Sequence, residues 1–172
     1  MRKVTFRVAN SLDNYIARKD GSFDWIMHSD DANASLAAFW KTIDTVLWGR
    51  KTYDIVKGRM PAYKGVKNYV FSRTIKESAD KGVGIINGDV VEFVRNLKNQ
   101  EGQDIFVMGG GELAKSLFEA DLIDEISMNI HPILLGSGIP LFHEMKGQMN
   151  LELLECKTFG NGCVLVSYRV KS

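Results

Sequence analysis

The stretch Asp104 to Asp124, DIFVMGGGELAKSLFEADLID, constrains this chain more than any other. It opens with an apolar run, Ile105-Phe106-Val107-Met108, of a length that suits a buried strand. Three glycines follow at once, Gly109-Gly110-Gly111. A helical pattern comes next, with Leu113, Ala114, Leu117 and Phe118 on one face. Strand, triple glycine and helix together bring bare backbone against a phosphate. Glycine has no side chain to hold a ligand off, and a helix N-terminus offers free N–H groups and a partial positive charge. A tight turn that merely packs closely is the plainer reading, and a single glycine would serve it.

The rest of the chain repeats the alternation. Val4, Phe6 and Val8 alternate with Thr5, Arg7 and Ala9, a first strand. Asn10 to Asp24 reads as a long functional loop with room for a short hairpin around Tyr15-Ile16-Ala17. Asp30-Asp31 can cap a helix carrying Leu36, Phe39, Trp40 and Ile43. Thr45 to Trp48 is a second strand, and Arg50 to Lys57 a short helix with Tyr53 and Val56 inward, ended by Gly58 and Pro61. Val66–Ser72 and Val83–Ile86 are further strands. Asp89 with Glu92 resembles a capping box before a helix with Val90, Phe93, Val94 and Leu97 inward. Beyond the triple glycine, Glu125–His131 is a strand and Leu134–Phe142, LLGSGIPLF, a glycine-rich loop. Asn150–Phe159 and Cys163–Val170 flank Gly160-Asn161-Gly162, an antiparallel hairpin in which Asn-Gly supplies positive φ. The chain reads as one α/β domain over 1–172, a mostly parallel sheet with an antiparallel edge.

Charge and hydropathy remove several function classes. A net charge of +1 over 172 residues gives no field for nucleic acid or an anionic membrane. No apolar run is long enough to span a bilayer, and MRKVTFRVANS lacks the apolar core of a secretory leader, so a cytoplasmic location is expected. Cys156 and Cys163 then read as free thiols, and the Asn33-Ala34-Ser35 sequon as unused. His28, His131 and His143 have no metal-ligand spacing, so no metal is expected and each reads as structural.

Three loops can touch an anionic cofactor, each after a strand, where open α/β sheets bind ligands. Gly49-Arg50-Lys51-Thr52 offers backbone N–H groups, two cations and a hydroxyl within four residues, a local recipe for pyrophosphate. A solvated basic first turn is its equally weighted alternative. Ser72-Arg73-Thr74 offers a hydroxyl and a guanidinium for a second phosphate, such as a ribose 2′-phosphate; alone, it would read as an exposed polar loop. Gly109-Gly110-Gly111 is the third. Its Gly-x-Gly-x-x-Ala spacing also fits a degenerate dinucleotide fingerprint of the doubly wound type. That reading fails, because the following strand ends in His131 rather than an acid and too little chain remains. Asp30 can donate a proton to a substrate nitrogen or carbonyl if an apolar pocket raises its pKa, and Asp31 reads as a helix cap.

With these loops in place the chain resembles the dihydrofolate reductase-like fold. More closely, it resembles the C-terminal reductase domain of the bifunctional riboflavin-biosynthesis deaminase–reductase, RibD, and its small stand-alone relatives. The resemblance runs from residue 3 to 170 and rests on Ser11–Ala17 (SLDNYIA), Trp48–Tyr53 (WGRKTY), Phe71-Ser72-Arg73, Val107–Leu113 (VMGGGEL) and Leu134–Phe142. It implies a three-layer α/β/α fold around a mixed, mostly parallel sheet, and NADPH as cofactor. By the same resemblance Ala9, Ile16 and Ala17 lie near the nicotinamide. Gly49, Arg50, Lys51 and Thr52 form the pyrophosphate and 2′-phosphate loop. Ser72 and Arg73 hold the adenosine ribose and its phosphate. Gly109, Gly110 and Gly111, leading into Glu112 and Leu113, form a glycine turn with a cis Gly–Gly bond. Asp30 falls at the spacing from Trp25 where dihydrofolate reductases keep their acidic substrate-binding residue. The activity implied is NADPH-dependent reduction of a small heterocyclic or carbonyl substrate, riboflavin-precursor-like or pterin-like. A non-catalytic NADP(H) sensor on the same fold is the alternative. Related small proteins pair as dimers, and the terminal hairpin edge offers a surface for a homodimer.

Overall fold

The computed structural model describes residues 1–58 and 65–171. Its elements are β1 (Val4–Ser11), β2 (Tyr15–Ala17), α1 (Asp30–Trp40), β3 (Ile43–Gly49), α2 (Arg50–Val56), β4 (Lys67–Phe71) and β5 (Val83–Ile86). They continue with α3 (Val90–Lys98), β6 (Asp104–Met108), α4 (Gly111–Glu119), β7 (Glu125–His131), β8 (Ile139–Pro140), β9 (Leu151–Thr158) and β10 (Val164–Val170). Eight strands form one sheet in the order β5-β4-β3-β6-β1-β7-β10-β9. Strands β5 to β7 in that order are mutually parallel; β10 is antiparallel to both of its neighbours. All eight strands read from the sequence are present, and the terminal hairpin is antiparallel.

Strand alternation sorts the core into two faces. Val46, Trp48, Val70 and Phe106 point to one face, where Tyr53 of α2 and Phe39 and Trp40 of α1 pack. Val4, Phe6, Leu47, Ile105 and Val107 point to the other, under Val94 and Leu97 of α3 and Leu113, Ala114, Leu117 and Phe118 of α4. The fold is therefore the three-layer α/β/α arrangement.

Four details differ from the sequence reading. Ser29, not Asp30 or Asp31, is the N-cap of α1, because its extended backbone aims the hydroxyl back at the Ala32 N–H. Helix α1 has no fully buried residue: Phe39 and Trp40 are half-buried on Phe106, Leu36 is exposed, and Ile43 already belongs to β3. The segment Tyr15–Ala17, read as room for a local hairpin, pairs instead as β2 with β8 inside the Leu134–Phe142 loop, and the Leu141 N–H donates to the Asn14 carbonyl at 2.9 Å. In the terminal turn only Gly162 takes positive φ, while Asn161 accepts the Cys163 N–H at 3.0 Å. Pro61, read as a helix stop, lies outside the described residues; α2 ends at Val56. Both cysteines are free thiols, with burial pushing the Cys163 thiol up. No helix among the described residues is long and apolar enough to cross a membrane.

Candidate functional site

Strand order places the glycine loops. β6 returns between β3 and β1, with Trp48 and Met108 in register, so Gly49 and Gly109 leave the sheet side by side. The backbone at Gly109 (φ +95°) and Gly111 (φ +65°) is left-handed, which favours glycine. A Cβ at Gly109 would overlap the Thr52 side chain, and one at Gly110 would stand 2.6 Å from Ile16 Cδ1. Gly49 faces Leu113 of α4, 3.8 Å from a Cβ position to the Leu113 Cβ. Ile16, Gly49, Thr52, Gly109, Gly110 and Leu113, drawn from three segments of chain, thus meet at one place. The cis Gly–Gly bond implied by the resemblance does not occur among the described residues. The turn is made instead by the two left-handed glycines flanking Gly110.

Two helices start at this cluster, and neither has a side-chain cap. α2 begins after Gly49 and α4 after Gly110, with no side chain accepting from their first N–H groups. By contrast, Ser29 caps α1, and Asp89 caps α3 by accepting from Val91 and Glu92. The N–H groups of Lys51, Thr52, Glu112 and Leu113 therefore belong to first turns that lack a side-chain acceptor. Such ends receive anions.

Arg50 ties two loops together. Its Nε donates to Asp54 at 2.8 Å, and its Nη1 to Ser72 Oγ at 3.2 Å and Thr74 Oγ1 at 3.0 Å. Burial pushes the Asp54 carboxyl up, but hydrogen bonds from Arg50 and Lys57 outweigh it and hold it below the ordinary carboxylate range. Ser72 is buried, and its hydroxyl also accepts from the Thr74 and Ile75 N–H groups at 3.2 Å each. Lys51 and Arg73 are exposed and make no hydrogen bond or ion pair among the described residues. The loops thus offer one organised guanidinium and two uncommitted cations.

Asp30 is exposed in the first turn of α1 and accepts no hydrogen bond among the described residues. It does not lie in an apolar pocket. Asp31 is the anchored acid: it accepts from the Ser29 hydroxyl at 2.6 Å, the Ala32 N–H at 2.9 Å and the Gly160 N–H at 2.9 Å. Those bonds, the Ser29 hydroxyl foremost, hold its carboxyl below the ordinary range and pin α1 to the terminal hairpin. Ala9 lies beside Asn129 in register, and Ser11 beside His131. His131 is fully buried, with Nδ1 3.0 Å from the Asn129 carbonyl oxygen and its ring edge-on to Trp25 at 5.3 Å. Asn129 Oδ1, His131 Nε2 and Trp25 Nε1 are buried without hydrogen-bond partners among the described residues, as is Asn10 Oδ1. Sequence reasoning passed over Asn129; a polar residue between the apolar Met128 and Ile130 of a strand was the available signal.

Asp13 was also missed. Its carboxylate accepts from the Ser11 hydroxyl at 2.6 Å and from the Leu135 and Gly136 N–H groups at 3.1 and 2.8 Å. It fastens the loop carrying Ile16 and Ala17 to the glycine-rich loop before β8.

Comparison with known proteins agrees with this architecture. The RibD C-terminal domain family matches residues 2–165. The chain is 38% identical over 167 residues to the Bacillus subtilis protein YwjB, covering 95% of this chain and 96% of that one. Among solved structures, a putative riboflavin biosynthesis protein from Shewanella sp. PV-4 superposes with a TM-score of 0.86 at 26% identity, covering both chains fully. Dihydrofolate reductase from Enterococcus faecalis superposes with a TM-score of 0.72 at 20% identity, over 99% of this chain and 97% of that one, a likeness of fold. By sequence the chain is a member of the RibD C-terminal domain family, and its structure has a dihydrofolate reductase-like, reductase-type fold.

Proposed function

We propose that the protein is an NADPH-dependent reductase of a small heterocyclic or carbonyl substrate, riboflavin-precursor-like or pterin-like. One observation carries the reading: Gly109 packs on Thr52 and Gly110 on Ile16 where a Cβ would overlap, beside two helix starts without side-chain caps among the described residues. These residues fit a dinucleotide, because bare backbone, free N–H groups and uncommitted cations are what a pyrophosphate and a 2′-phosphate need. The Enterococcus dihydrofolate reductase structure holds NADP(H), which supports the same assignment for a shared fold.

NADPH, when bound, supplies hydride, and the chain's residues provide placement and charge pairing. In this reading Gly109, Gly110 and Gly111, with the N–H groups of Glu112 and Leu113, receive the pyrophosphate together with Gly49, Lys51 and Thr52. Arg50, Ser72 and Arg73 hold the 2′-phosphate. Ala9, Ile16 and Ala17 line the nicotinamide end. Asp30 or a water supplies the proton.

Titration with NADPH tests this, followed by tryptophan fluorescence from Trp25 and Trp48. Saturable quenching is expected; its absence would remove the cofactor assignment. Quenching without reduction of any pterin, flavin precursor or carbonyl, together with an unchanged Asp30→Asn variant, would make the protein a sensor.

A further inference from the structure

Between the segment 20–28 and α2 lies an open pocket of about 680 Å³, a size that suits a small ligand. Phe23, Ile26 and Ile55 form its apolar wall, and Asp20, Asp24 and His28 stand on its rim. The pocket adjoins the site already described. Its loop wall follows directly on from Ala17, and Ile55 lies one turn beyond Thr52 on α2. Phe23 and Ile55 are 48% and 40% exposed, so two large apolar side chains line one hollow in contact with water. Trp25, in the same segment, is 7% exposed and its indole N–H has no acceptor among the described residues.

The rim charges are fixed by local bonds. Asp20 accepts from the Ser22 hydroxyl at 2.7 Å and the Ser22 N–H at 2.9 Å, which hold its carboxyl below the ordinary range. Asp24 accepts from Arg18 Nε at 2.7 Å, with the same effect. Both carboxylates are ionised at neutral pH. Arg18 is committed to Asp24, and no lysine or arginine among the described residues lines the pocket. A phosphate entering here would meet the Asp20 carboxylate, the Asp24 carboxylate already paired with Arg18 and, of the basic side chains among the described lining residues, His28 alone. The cations suited to phosphate, Lys51 and Arg73, sit in the cofactor loops.

Resting on the reductase reading above, we infer that the substrate seated in this pocket is an unphosphorylated planar ring compound, neutral or cationic, packed against Phe23 and Ile55. The apolar wall takes the ring face, and the carboxylates accept from ring or amino N–H groups. A phosphorylated precursor is disfavoured by like charge.

Riboflavin and FMN are suitable probes, since they share a ring and differ by one phosphate. Flavin fluorescence anisotropy is followed as the full chain is titrated, with NADP⁺ saturating so that no hydride is available. Riboflavin is expected to bind about tenfold more tightly than FMN, from like-charge exclusion. Phe23→Ser should weaken riboflavin by roughly tenfold through lost stacking, while NADPH quenching of tryptophan stays unchanged. Asp20→Asn combined with Asp24→Asn should shift the preference toward FMN. Equal binding, tighter FMN, or binding of neither flavin overturns the inference. NADPH quenching in the same samples separates the two readings. Protein that quenches but prefers FMN defeats the substrate class alone; protein that fails to quench defeats the reductase reading and the substrate role with it, while the flavin preference still decides which ring compound the pocket binds.

Discussion

Gly109 lies against the Thr52 side chain so closely that any Cβ would overlap the hydroxyl. The contact joins the loop after β6 to the first turn of α2, and it exists because β6 inserts beside β3. Gly109→Ala is expected to destabilise the fold by about 1–2 kcal/mol from the left-handed backbone alone, with further loss from the overlap. Gly110→Ala behaves differently. Its φ is −93°, open to any residue, and the nearest obstacle is the mobile end of Ile16. That variant should melt close to the parent yet lose NADPH binding. Thermal melting and NADPH quenching, measured on both variants, check the pair; normal quenching by Gly110→Ala would remove the glycine turn from the cofactor site.

Arg73 and Lys51 carry charge that the described structure does not use, whereas Arg50 is held by Asp54, Ser72 and Thr74. A charge-assisted hydrogen bond contributes about 1.5–3 kcal/mol. Arg73→Ala should therefore weaken NADPH by roughly ten- to a hundredfold and leave NADH nearly unchanged, because only the former carries a 2′-phosphate. Parallel titrations of the two cofactors decide; equal weakening would free Arg73 of that role.

The elements were legible because local pattern fixes them. Short apolar runs such as Ile105–Met108 and glycine punctuation at Gly49 mark strands and their ends without reference to the rest of the chain. Strand order was not legible, since nothing within DIFVM says that it returns between β3 and β1. The site divides in the same way. Gly109 to Gly111 and Arg50 to Thr52 carry their chemistry in sequence. Asp13 does not: its partner Leu135 is 122 residues away, and only the folded pairing of β2 with β8 shows what the carboxylate holds. Asn129 and His131 matter through register with Ala9 and Ser11, again a tertiary fact. At α1, two acids drew attention from Ser29, whose backbone geometry makes it the cap.

Asp13 gives the loops an acid-sensitive clasp. The Ser11 hydroxyl, followed by the Gly136 and Leu135 N–H groups, lowers its folded pKa below the ordinary carboxylate value of about 3.9. The clasp is therefore fully formed above that value and is lost as pH falls through the lower folded pKa. Amide exchange or NMR shifts at Leu135 and Gly136 should stay flat at neutral pH and change together in acid. Asp13→Asn should abolish that acid transition; an unchanged transition would assign it to another group.

Lys98 is a buried cation, 7% exposed, with Nζ 2.6 Å from Asp124 Oδ2 and 3.2 Å from the Leu122 carbonyl oxygen. Asp124 in turn accepts the Val4 N–H at 2.7 Å, so the pair links the end of α3 to the start of β1. Lys98→Met keeps the apolar stem and removes the charge. It should cost about 1.5–3 kcal/mol. For a chain of this length that lowers Tm by roughly 3–12 °C. A thermal melt measures it, and a Tm within a degree of the parent would show that the pair is neutral to folding.

β9 closes one end of the sheet with all eight of its residues exposed, including Leu151, Leu153 and Leu154. Among the described residues only β10 pairs with it, which leaves its other backbone edge unpaired there alongside that leucine row. Such an edge invites a second strand unless charge or a bulge blunts it. Here the register shift opposite Ser167 and Tyr168 bends the strand, and Glu152, Glu155 and Lys157 alternate with the apolar residues. The charges are of both signs, which allows two copies to meet in antiparallel fashion without like-charge conflict. A homodimer is expected, with Leu153→Glu shifting it to monomer and leaving the melting of the isolated chain unchanged, because Leu153 is 57% exposed within one chain. Light scattering coupled to size exclusion reads the mass directly. A monomeric parent, or a dimer indifferent to Leu153→Glu, would move the interface away from β9.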